Sequence, residues 1–162
     1  MDFFNDDCRA DVVLLDYCYT LVENHGMFSR EHLKNYPGWI AQETYRQWLI
    51  GILAGTKVVL ITARRLRYRD VTLSRVSEEG RGLTLEMSLF NEGDYPPPDW
   101  KKIALDKYVF PKYGKPSECA YLALESNPRT RAMYARNGIR ALRVPEVPPY
   151  WDSLPLTRKS LQ

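Results

Sequence analysis

The 162 residues of this chain include only two histidines and three cysteines. Cys8, Cys18 and Cys119 are an odd number with no CxxC pair, which argues against a disulfide framework and against a thiolate zinc site. Reduced thiols in a reducing compartment, and hence a cytoplasmic location, are the expectation. His25 and His32 lack the spacing of a metal-ligand pair and are expected to serve a loop or the surface. No apolar run approaches the roughly 18 residues needed to cross a bilayer, so no membrane is expected as a partner. The opening MDFFNDDC is acidic and lacks the basic flank and apolar core of a secretory leader. Charge of one sign is also scarce, because a formal net charge of +3 is too weak a bias to imply nucleic-acid binding by itself.

What remains is an ordinary globular composition, 44% hydrophobic and 27% charged. The length suits one domain over residues 1–162, with a proline-rich tail from about Pro145 that is available to dock on a protein partner. Five short aliphatic runs recur, at Asp11–Asp16, Lys57–Thr62, Leu83–Ser88, Ala120–Leu124 and Arg140–Val144. Strands this uniformly apolar are covered on both faces, as in parallel sheets. Helical spacing over Trp39–Ala54, with Gly55 as a stop, and over Trp100–Phe110 separates some of these runs. Asn127-Pro128 reads as an N-cap with proline at the first helical position, and Gly138 closes that helix. Strands alternating with helices imply an α/β fold: a three-layer, doubly wound parallel sheet of about five strands, with the first run central.

Such sheets hold ligands beyond the carboxyl ends of their strands. Asp16, Thr62 and Glu125-Ser126 end three of the runs, so two carboxylates and a hydroxyl are expected on one edge. Two acids there repel unless a cation compensates them, and Lys101 or Lys102 in the third connection supplies one. Arg64, Arg65, Arg67 and Arg69, with Tyr68 among them, follow Thr62 and are candidates for holding phosphates or stacking on a base.

Four segments in order resemble the motifs of the haloacid dehalogenase (HAD) superfamily: VLLDYCYTL, VLITAR, DWKKIAL and LALESNPRTRAMYARNGI. The resemblance covers roughly residues 10 to 145. It implies that Asp16 is a nucleophile forming an aspartyl-phosphate and that Thr62 holds a phosphoryl oxygen. Lys102, with Lys101 as the alternative, would neutralise the nucleophile. Glu125, Asp16 and the backbone carbonyl of Cys18 would hold Mg²⁺. The segment between Asp16 and Lys57 is too short for a sizeable cap domain, and capless members act on macromolecules. Arg64, the Asn91–Asp94 segment and the RNGI exit loosely resemble the 3′-phosphatase domain of polynucleotide kinase/phosphatases. A nucleic-acid end or nucleotide is therefore the implied substrate, with Arg64, Arg65 and Arg67 binding it.

The departures are specific. Cys18 stands where family phosphatases carry a second aspartate as general acid/base, a group worth about 10²–10⁴ in rate. Glu125 stands where aspartate is usual. The leading expectation is a Mg²⁺-dependent phosphohydrolase, and the alternative is a catalytically silent HAD scaffold kept as a binding or assembly module. Dehalogenation, which needs no acid at Cys18, normally goes with a cap that this chain lacks.

Overall fold

The computed structural model of the protein describes residues 10–144. Cys8 and the proline-rich tail lie outside them. Five strands, β1 (Val12–Leu15), β2 (Val58–Arg65), β3 (Leu85–Asn91), β4 (Tyr121–Leu124) and β5 (Arg140–Leu142), form one parallel sheet in the order β3-β2-β1-β4-β5. The first apolar run is the central strand, as expected.

Alternation along the strands explains why the runs read as continuously apolar. Val13, Leu15, Val58, Leu60, Leu122 and Leu124 face one core, shared with Leu21, Tyr45, Leu49 and Leu53. Val12, Leu14, Val59, Ile61, Tyr121 and Ala123 face the other, packed on Trp100, Ala104, Met133 and Tyr134. Both faces are dry, so neither half of the alternation can be polar.

The helices are α1 (Tyr36–Ile40), α2 (Gln47–Leu53), α3 (Arg69–Glu79), α4 (Pro97–Ala104), α5 (Phe110–Tyr113) and α6 (Pro128–Arg136). The single helix expected over Trp39–Ala54 is instead two. Its middle is pulled out of helical form where Val22 bridges Tyr45 and where Glu43 turns inward. Gly55 ends α2 at φ +78°, a conformation that costs glycine little. The helix expected from Trp100 begins earlier, at Pro97, and helical structure runs on through Leu105–Val109 into α5. Asn127 caps α6 by accepting from the Arg129 and Thr130 N–H groups. Among the described residues no helix is long and apolar enough to cross a membrane, and Cys18 and Cys119 are free thiols.

Candidate active site

From β1 the chain builds β2 and β3 on one side, then returns to lay β4 and β5 on the other. Strand order reverses between β1 and β4, which is where sheets of this kind open a ligand crevice. Asp16 follows β1 and Glu125 follows β4, and the Asp16 N–H donates to the Leu124 carbonyl at 2.9 Å. Lys101 reaches this edge from α4. Its ammonium donates to Asp16 Oδ1 at 2.8 Å and to Glu125 Oε2 at 2.5 Å, and the residue is 1% exposed. Burial alone would lower its hold on the proton, but the Asp16 and Glu125 carboxylates more than offset this and hold it above the ordinary lysine range.

The two acids are not equivalent. Burial, then the charge of Asp16, push the Glu125 carboxyl up to about 7 against the pull of Lys101. Its Oε1 accepts from the Asn127 N–H at 3.0 Å, so both of its oxygens are engaged. Asp16 Oδ2 accepts from Thr20 Oγ1 at 2.9 Å and from Ser126 Oγ at 3.0 Å. Ser126 Oγ also lies 3.3 Å from the Cys18 carbonyl.

Between Asp16 and Val22 the chain makes an irregular turn, Tyr17–Leu21, in which Cys18 is extended and Tyr19 is left-handed at φ +62°. Two buried arginines support it. Arg46 donates to the carbonyls of Thr20, at 3.0 Å, and Tyr19, at 3.4 Å. Arg64 lies 4.5 Å from the centre of the Tyr17 ring, and its Nη2 is 3.8 Å from Cys18 Sγ. Burial pushes the Cys18 thiol up to about 12, so it is neutral at physiological pH.

Asp16, Cys18, Lys101, Glu125 and Ser126 line one cleft of about 1120 Å³. Thr62 is fully buried, its hydroxyl accepts from the Arg64 N–H at 3.1 Å, and Ala63 beside it reaches the cleft. Lys102, named first for the third motif, points to solvent and pairs with Asp106 one helical turn on. The correction has a simple cause, since Trp100, Lys101 and Ala104 form the buried stripe of α4 and Lys102 falls beside it.

Arg64 is corrected too. Expected to bind substrate, it is buried in a two-point ion pair with Glu43, at 3.0 and 2.6 Å, and also donates to Thr72. Glu43 accepts the Tyr17 hydroxyl as well. Arg65 pairs with Asp94 at 2.7 Å and Arg67 lies over the Tyr68 ring; neither lines the cleft. His25 packs edge-on to Tyr19, and His32 Nδ1 accepts from the Ser29 N–H. Thr20, Glu43 and Arg46 carried no signal of their own, being lone polar residues in a connecting segment. Ser126 did, as the residue after the strand-ending acid.

No family model matches the sequence, and no curated protein is a significant match. Among solved structures the chain is similar to the HAD domain of effector protein Lem4 from Legionella pneumophila. The TM-score is 0.50 at 14% identity, over 88% of this chain and 90% of that one. The chain has a HAD-like fold. An inactive mutant of the same Lem4 domain gives a TM-score of 0.48 at 13% identity, over 89% and 90% of the two chains. At such identity the likeness to HAD domains concerns the fold, and activity rests on the side chains.

Proposed function

We propose that the chain is a HAD-type phosphohydrolase acting on phosphate monoesters through Asp16. The observation that carries this reading is the Asp16–Lys101–Glu125 array at the point where strand order reverses, opening on a cleft. An Asp16 carboxylate oxygen bonds to phosphorus as the bond to the leaving oxygen breaks, and water then hydrolyses the aspartyl-phosphate to free phosphate and Asp16. Lys101 offsets the negative charge gathered at the nucleophile. Thr20 and Ser126 orient the carboxylate by donating to Oδ2.

Among the described residues no group of three or more His, Cys, Asp or Glu side chains is arranged to hold a metal. A mixed oxygen set is present instead: Asp16 Oδ2, the Cys18 carbonyl and Ser126 Oγ, with Ser126 at 3.0 and 3.3 Å from the other two. Adjacent corners of a Mg²⁺ octahedron lie about 2.9 Å apart, given metal–oxygen distances of about 2.0–2.1 Å. The Asp16–Ser126 spacing suits adjacent Mg²⁺ ligands and the Ser126–Cys18 spacing is longer, so this set, with one carboxylate, would hold the ion loosely. Glu125, expected as a ligand, is taken up by Lys101 and Asn127, and Ser126 replaces it. When bound, the ion would polarise a phosphoryl oxygen and offset its charge. Support for a nucleic-acid end as substrate is confined to Arg65 and Arg67, outside the cleft, so the proposed class is the phosphate monoester in general.

The Cys18 thiol favours a second reading, the silent binding module, because it supplies no carboxylic acid to the leaving group. One experiment separates the two. Wild type is mixed with acetyl phosphate and Mg²⁺, quenched in acid, and searched by mass spectrometry for phosphate on Asp16. The phosphohydrolase reading expects the adduct in wild type and none in Asp16→Asn; a folded wild type with neither adduct nor phosphate release leaves the binding module.

A further inference from the structure

Two large apolar side chains at the cleft stay out of the core. Tyr19 is 56% exposed and Met27 72% exposed, and both line the same cleft as Asp16. Scattered apolar residues on a surface need no explanation, but two beside one reactive carboxylate form a patch with a place to act.

Tyr19 is held there against a local preference. A non-glycine residue at φ +62° is strained and persists only where its surroundings over-determine it. Those surroundings are visible. Arg46 donates to the Tyr19 and Thr20 carbonyls, and the His25 ring packs at 4.5 Å, edge-on. A core-seeking tyrosine would have turned inward, as Tyr17 does; this one keeps its ring exposed, against His25, among the residues that line the cleft.

Pro97, Pro128 and Ala63 add to the apolar lining of the cleft that also holds Lys101 and Ser126. The proposed phosphoryl chemistry and exposed apolar side chains thus share one cleft. We infer that Tyr19, with Met27, is a specificity residue, and that the cleft takes phosphate esters whose leaving group is a planar aromatic ring. The inference rests on the phosphohydrolase reading for its reaction. The ring packs on Tyr19 while Asp16 forms its bond to phosphorus, the bond from phosphorus to the aryl oxygen breaks, and the phenolate leaves to take a proton from water.

The test uses two inert ligands that differ only in the ring, phenylphosphonate and methylphosphonate, with binding measured by calorimetry in Mg²⁺. An aromatic contact is worth about 0.5–1.5 kcal/mol, so wild type should prefer phenylphosphonate by about two- to tenfold. Tyr19→Asn, which tolerates the left-handed backbone, should abolish the preference, and Tyr19→Phe should keep it. In turnover, Tyr19→Asn should raise KM for p-nitrophenyl phosphate by that factor more than it changes KM for acetyl phosphate, which has no ring. Equal binding of the two phosphonates by wild type overturns the inference even if acetyl phosphate is hydrolysed. A Tyr19→Asn loss shared equally by both ligands also overturns it, since the turn alone would then matter. A ring preference without any turnover of either substrate leaves Tyr19's role standing and removes the hydrolase.

Discussion

Lys101 and Lys102 are neighbours on one helix, yet one is sealed between two carboxylates and the other pairs with Asp106 in solvent. Removing a partner from a buried ion pair costs about 3–5 kcal/mol because the remaining charges stay buried. Lys101→Met should therefore lower the unfolding free energy in urea by about that much, while Lys102→Met should change it by under about 0.5 kcal/mol. Glu125 gives a pH signature in the metal-free protein. Its folded value, about 7, lies above that of an exposed carboxyl. Its contribution is full below the unfolded value and is lost as pH rises through about 7. Melting temperature should fall over that window in wild type and fall less in Glu125→Gln. On the phosphohydrolase reading, Cys18→Asp should supply an acid, raising turnover of an alkyl phosphate by up to about 10²–10⁴ and of an aryl phosphate far less. Asp16 and Glu125 were legible in the sequence because strand ends are legible. The sequence alone puts Lys102 first and leaves Lys101 as the alternative; the buried stripe of Trp100 and Ala104, which selects Lys101, shows once the helix is seen to start at Pro97.

At the scale of elements, the strands and α6 follow from local pattern, whereas the segment from Tyr17 to Arg46 does not. Its course depends on Glu43, which binds Arg64 from β2, the Tyr17 hydroxyl from the turn and, through its carbonyl, Arg75 from α3. Helical periodicity over Trp39–Ala54 is real, but three distant partners outweigh it, and nothing local announces them. Glu43→Ala should cost about 3–5 kcal/mol, leaving Arg64 buried without its carboxylate, while Asn127→Ala should cost about 1 kcal/mol as a lost cap. Both are read from denaturant midpoints. The same ion pair explains why an arginine two residues after Thr62 misleads: its position suits a ligand, but its guanidinium faces the interior.

For the molecule as a whole, the parallel sheet brings together residues far apart in the chain. The Asp11 N–H donates to the Ala120 carbonyl at 2.7 Å, and β1 pairs along its whole length with β4. A polypeptide shortened to end at Lys115 would lose β4, α6 and β5 from both cores, and its circular dichroism should be that of an unfolded chain. Closing so wide a loop before any contact rewards it makes such topologies slow to form. Until β4 arrives, the central strand has a bare edge, and Asp16 lacks Glu125, Ser126 and the Leu124 carbonyl. In refolding from denaturant, the Asp16–Lys101–Glu125 array should therefore form with the last global phase, and a nascent chain still waiting for β4 would lack that array as well as being open to aggregation.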